Sequence, residues 1–231
     1  TFMVGLLGSN ELSAVTAANT PIFLVQVIIF GLLSGQSILV SQYWGKGDQG
    51  AINRCTGVAL YFGLAISSLV ALTLLLFPRG VMTLVTDNAL LVELGAPYLR
   101  IVGVSYVFNA ASSVYVGMQR STEKPVMGMA IFAVSMLLNT LLNYILIFGK
   151  LGFPRLGVTG AALATVFSQT IGFLLILVLF FRYGRKQDLR LKWSLHMEKA
   201  GRLQYLGILL PILVCELVWS LGENAYAAIY G

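Results

Sequence analysis

The stretch SMLLNTLLNYILIFGKLGFPRLGVTGAALATVFSQ, from Ser135 to Gln169, decides how the rest of the chain is read. Its two ends are apolar enough to lie in lipid, and the glycines and proline between them suit a tight connection. It therefore reads as the end of one membrane helix, a short hairpin and the start of the next. Ser135, Asn139 and Asn143 recur every four residues and share one face of the first helix, as Thr165, Ser168 and Gln169 do on the second. Lipid offers an amide no hydrogen-bond partner, so these stripes face other helices or a water-filled cavity. Two readings of the asparagines stay open: hydrogen-bonded glue between helices, or the wall of a pore or transport cavity.

Composition agrees with a membrane setting. With 58% hydrophobic and 10% charged residues and a mean hydropathy of +0.85, the 231-residue chain is not a soluble globular domain. It is an all-α polytopic membrane protein. The net charge of +6 does not point to nucleic acid, because the basic residues lie in short loops between apolar runs, where they set topology. Cys55 and Cys215 match no metal or redox spacing, and His196 stands among lysines in a loop, the setting of a solvated side chain. The sequence has no HExxH, no paired Asp, no in-membrane His and no Gly-rich nucleophile turn, which argues against intramembrane hydrolase chemistry.

Outward from the hairpin, apolar spans are expected at about 16–43, 51–77, 90–118, 126–149, 157–181 and 203–231. The first contains Pro21, a small-xxx-small pair at Gly31 and Gly35, and a stripe of Ser34, Ser37 and Ser41. Pro78 ends the second, and a short segment with Arg79 and Asp87 follows at the opposite surface. In the third, Glu93 and Arg100 are seven apart on one face and read as a packing or rim pair, while Ser105, Asn109, Ser112 and Ser113 form a polar face. Pro125 falls just before or at the first turn of the fourth span. The opening TFMVGLLGSNEL reads as the outer end of a helix whose body is absent, so the chain is expected to be a window on a longer protein.

Alternation of the spans puts the loops at 46–54, 119–125 and 182–202 on one side with eleven Lys/Arg, against Arg79, Lys150 and Arg155 on the other. The positive-inside rule makes the first set cytoplasmic. The last span then runs outward and carries Glu216, thirteen residues from Leu203, or about 20 Å at 1.5 Å per residue and near mid-bilayer. Ser220, Glu223 and Asn224 share its face. A carboxylate at that depth costs about 2.5–3.5 kcal/mol on insertion scales. It reads either as a cation or proton site or as a protonated, helix-gluing side chain.

Taken together, these residues resemble the multidrug and toxic compound extrusion (MATE) transporters. The resemblance lies in LVSQYWGKGD at 39–48, YLRIVG at 98–103, GMQRSTEKP at 117–125, NTLLNYILIFG at 139–149, FPRLGVTGAALAT at 153–165 and LPILVCELVWSLGENAYAAIYG at 210–231. It implies a six-helix lobe of a twelve-helix transporter with the start of the second lobe: residues 1–181 as the first lobe, 182–202 as a basic cytoplasmic inter-lobe loop, and 203–231 as helix 7. It further implies a plasma-membrane antiporter that exports small organic cations in exchange for H+ or Na+. Such a protein has no cofactor beyond the coupling ion and no nucleic-acid partner; its partners are the lipid bilayer and the remainder of its own chain.

Some members of that family pair an Asn with an Asp four residues on in helix 5, where Asn139 and Asn143 stand here. An amide cannot exchange a proton, so the resemblance moves ion coupling to Glu216, which matches a helix 7 glutamate. It makes Asn109, Asn139, Asn143, Thr165 and Gln169 the expected lining of the first-lobe cavity, with Tyr106, Phe108 and Tyr144 read either as cation–π surfaces or, more simply, as packing or interface residues. The competing expectations are a lipid-linked sugar or polysaccharide flippase of related fold and a passive channel. A flippase needs basic residues inside its cavity for pyrophosphate, whereas the Lys/Arg here sit almost entirely in loops.

Overall fold

The computed structural model describes residues 2–184 and, beyond them, scattered positions between 207 and 222. The described residues form helices and turns, and five of the helices are long and apolar enough to cross a membrane. A four-residue helix, α1 (Phe2–Gly5), is followed by α2 (Ser9–Gly45), which is 37 residues long, or about 55 Å. The break expected in the opening glycines is confined to residues 6–8, so α2 starts seven residues before Thr16. Pro21 lies inside it, where the missing N–H removes one helical hydrogen bond.

The connection to α3 (Gln49–Leu76) is shorter than the expected loop. Gly47 takes a left-handed φ of 71°, and Asp48 caps α3 by accepting a 2.9 Å hydrogen bond from the Ala51 amide, so Arg54 already rides on the helix. After Phe77, Pro78 occupies the first turn of a short helix, α4 (Pro78–Thr83). Asn88 then caps α5 (Ala89–Ser121) through the Leu90 amide at 3.0 Å. Pro125 opens α6 (Pro125–Phe148), as its position in the sequence suggests.

Gly149, at φ 68°, ends α6 in the left-handed conformation of a C-cap and lies against the backbone of Arg155. The Leu156 amide then donates to the Leu146 carbonyl at 3.0 Å, closing the hairpin before α7 (Gly157–Gly184) begins. Gly160 sits directly on the Leu146 carbonyl, and Gly172 faces the Ser135 hydroxyl. These small residues let the two helix backbones approach closely.

α5 is the axis of the bundle: it packs along α2, α3 and α7, while α6 packs chiefly on α7. Two apolar cores occupy opposite ends. One joins Val15, Leu74, Met82, Leu99, Ile147 and Ala162. The other joins Leu39, Ile52, Tyr115, Met118, Ile131 and Ile176. Between these cores lie the polar positions Asn109 of α5, Asn139 and Asn143 of α6, and Thr165, Ser168 and Gln169 of α7. The outer faces stay apolar, as at Met136 and Leu137 of α6, which are 73% and 71% exposed and present a lipid-facing surface.

Candidate functional site

Midway between the two cores, neutral polar side chains connect three helices. The Asn143 amide Nδ2 donates to Asn139 Oδ1 at 2.9 Å, one turn away on α6. Asn139 Nδ2 then donates across to Ser168 Oγ on α7 at 3.2 Å. Ser168 returns its proton to the Thr165 carbonyl at 3.0 Å, and Thr165 Oγ1 donates to the Ala161 carbonyl at 3.0 Å. A second bridge joins α5 to α7, from Asn109 Nδ2 to Gln169 Oε1 at 3.2 Å. Ser168 is 2% exposed, whereas Asn109, Asn139, Asn143, Thr165 and Gln169 are all half-buried.

All five side chains expected to line a cavity thus lie at the mid-level of the bundle. Four of them hold helices or one another through side-chain amide and hydroxyl bonds, and Thr165 bonds its own helix. The two readings of the asparagines are compatible, because an amide in one such bond retains unused donor or acceptor capacity. Gln169 keeps its Nε2 donor and Asn109 its Oδ1 acceptor for another partner.

Sequence reasoning missed Gln36. It is fully buried on α2, and its Nε2 donates to the Val114 carbonyl of α5 at 3.0 Å, while its Oε1 has no partner. The signal was a lone amide in the apolar run GLLSGQSILV, masked by the three serines around it. Of those serines, Ser37 shares a 2.8 Å hydrogen bond with Ser121 and tightens α2 against the end of α5. Ser112, 4% exposed on α5, also has a hydroxyl without a partner.

The aromatic positions divide. Phe108 stacks at 5.5 Å on Phe173, one residue from Asn109 and so beside the α5–α7 bridge. Tyr106 packs against the first apolar core, and Tyr144 is half exposed with its ring 6.0 Å from Phe148. Among the described residues every Asp and Glu (Glu11, Asp48, Asp87, Glu93 and Glu123) lies near a helix end or in a turn, so the mid-level seam carries no charge. No group of His, Cys, Asp and Glu among them is arranged to hold a metal. Glu216, Glu223 and His196 lie outside the described residues.

At one end of the bundle Lys46 Nζ lies 5.9 Å from the Tyr43 ring centroid and Lys124 Nζ lies 6.0 Å from that of Trp44. The basic turns after α2 and α5 therefore meet at the same end, with the aromatic residues of a membrane interface. Arg79, Glu93 and Arg100 line a groove at the other end, which makes the Glu93 and Arg100 positions rim positions.

Known proteins share both the sequence and the fold. The chain is 28% identical over 223 residues to the probable multidrug resistance protein YoeA of Bacillus subtilis, covering 95% of this chain and 48% of that protein. It is 32% identical over 231 residues to the probable multidrug resistance protein NorM of Synechocystis, covering 99% and 47%. The chain spans about half the length of the curated relatives it matches. Among solved structures, a MOP superfamily transporter from Pyrococcus furiosus matches with a TM-score of 0.81 at 24% identity, over 96% of this chain and 48% of that one. The outward-facing conformation of a multidrug resistance MATE family transporter matches with a TM-score of 0.81 at 22% identity, over 96% and 49%. Residues 1–145 match the MatE family model. The chain is an integral membrane protein and belongs to the MatE family of transporters.

Proposed function

We propose that the chain forms the first lobe, residues 1–181, of a secondary antiporter that exports small organic cations across the plasma membrane in exchange for H+ or Na+. Residues 182–202 are the basic inter-lobe loop and residues 203–231 begin the second lobe. The observation that carries this reading is the neutral amide and hydroxyl seam at mid-height, joining α5, α6 and α7 in a chain similar to proteins named for multidrug resistance. Neutral donors and acceptors suit a site that must release what it binds, because their hydrogen bonds are weaker than those to a charged partner. Asn109, Asn139, Asn143, Thr165 and Gln169 would contact the substrate by exchanging their mutual bonds for bonds to it.

Since that seam is uncharged, the ion site is assigned to Glu216. Its charge state would bias inward-open against outward-open arrangements through its different environment in each. The Lys/Arg excess of the loops at 46–54, 119–125 and 182–202 supports a cytoplasmic position for them. The test is efflux of a fluorescent organic cation from vesicles containing the whole protein, with H+ and Na+ gradients imposed separately. Efflux driven by one of them supports the antiporter, and efflux indifferent to both removes it.

A further inference from the structure

At the end of the bundle away from Lys46 and Lys124, the C-terminal turn of α3, α4 and the first turns of α5 line an open groove of about 690 Å³. A recess of about 520 Å³ adjoins it and shares Arg79 and Glu93 as lining residues. Two separate segments present the same chemical order. From α3 into α4 the lining passes from Leu76 and Phe77 to Arg79, then through Thr83 to Asp87. On α5, read toward its N-terminus, it passes from Ile101 to Arg100 and then to Glu93. Both run from apolar through cationic to anionic.

Depth fits that order to the bilayer. Arg100 is twenty-one residues from Ser121, the end of α5 that meets Ser37, or about 31 Å along the helix, and a hydrocarbon core is about 30 Å thick. With Ser121 taken at the inner edge of that core, Arg100, and Arg79 across the same groove, come near the level of the lipid phosphates. Glu93, two turns further along α5, lies about 10 Å outside them. Leu76 and Phe77, 62% and 66% exposed, offer an open apolar wall on the lipid side. With two arginines and two carboxylates, the combined recess is neutral overall but polar along one axis.

We propose that this groove holds one phospholipid of the phosphatidylethanolamine type. Its acyl chain lies along Leu76, Phe77 and Ile101, and its phosphodiester lies between Arg79 and Arg100, whose planar guanidinium groups suit paired phosphate oxygens. Its ammonium is directed to Glu93 and Asp87. A phosphatidylglycerol head satisfies the arginines but places a neutral diol at the two carboxylates. The ammonium is the part of the ligand that uses every charged group in the recess.

The test uses the whole protein, stripped of lipid in detergent and offered equimolar phosphatidylethanolamine and phosphatidylglycerol, with retained lipid read by native mass spectrometry. Wild-type protein should retain phosphatidylethanolamine about tenfold over phosphatidylglycerol. Joint substitution Asp87→Asn and Glu93→Gln should bring the ratio to about one, and joint Arg79→Gln and Arg100→Gln should lower retention of both lipids. Equal retention by the wild type, a preference for phosphatidylglycerol, or no lipid held at all would each overturn the proposal. The wild-type comparison needs no variant to fold, and its readout is independent of transport.

Discussion

Gly160→Ala tests the closeness of the α6–α7 hairpin. A Cβ on Gly160 would lie 2.6 Å from the Leu146 carbonyl oxygen, 2.7 Å from its carbon and 3.1 Å from the Ile147 nitrogen. All three are backbone atoms and none can turn away. Carbon–oxygen contacts settle at about 3.3–3.6 Å, so the helices must part by roughly 0.7–1 Å at this point. The Leu146 carbonyl also accepts the Leu156 amide that closes the hairpin, and the Asn139–Ser168 bond, at 3.2 Å, has little length to spare. Overpacking of this kind costs about 1–3 kcal/mol, and a weakened interhelical bond adds about 0.6 kcal/mol. A total of about 2 kcal/mol lowers the folded-to-unfolded ratio roughly 30-fold. The assay is thermal unfolding of the whole protein in detergent, with two companions. At Gly172 the neighbour is the Ser135 hydroxyl, a side chain that can rotate, and at Gly45 nothing lies within 4 Å. Destabilisation should fall in the order Gly160, Gly172, Gly45. A Gly160→Ala protein that melts with Gly45→Ala would refute the close contact.

Further outcomes follow from the polar groups. Gln36→Met removes one interhelical bond but also an unpartnered buried oxygen, so its cost should stay below about 1 kcal/mol in the same unfolding assay, and Gln36→Glu should cost more. Asn139→Leu breaks the link to Ser168 and strands the Asn143 amide; it should destabilise by about 0.6–2 kcal/mol and raise the KM for efflux about tenfold. Glu216→Gln should abolish the response of efflux to the coupling-ion gradient while substrate binding persists, and unchanged coupling would remove Glu216 from the mechanism. With Cys55 and Cys215 replaced, single cysteines at Lys46 and Lys124 should be labelled by an impermeant maleimide from the same side of the membrane, and one at Arg79 from the other.

The five spans within residues 2–184 were legible because continuous apolar length and punctuation by Pro78, Pro125 and Gly149 leave few choices of boundary, while the span expected at 203–231 lies largely outside the described residues. The stripes on α6 and α7 were legible because helical spacing alone puts Asn139 beside Asn143 and Ser168 beside Thr165. What each stripe touches was not. A membrane helix is apolar on its packed face and on its lipid face, so the usual contrast that tells inside from outside is weak. The pairing of Asn109 with Gln169, the burial of Gln36 and the division into two cores all depend on that missing contrast. The start of α2 was misplaced for a different reason: Ser9–Val15 carries the polar Ser9, Asn10, Glu11 and Ser13 and falls outside the apolar span, yet this end of α2 packs on α1 and α5 and stays helical.

The hairpin geometry also bears on how the chain enters the membrane. Within α6 and α7 the polar groups find each other locally: Asn143 bonds Asn139, and Asn139 bonds Ser168, twenty-nine residues on. Those amides can enter lipid already paired, as one inserting unit. Asn109 has no such neighbour, because its partner Gln169 emerges sixty residues later. At about 5–20 residues per second, synthesis leaves that amide waiting for about 3–12 s. During this interval α5 must be shielded by the insertion machinery or by water, so the helix at the centre of the finished bundle depends on α7, two helices later, to complete its pairing.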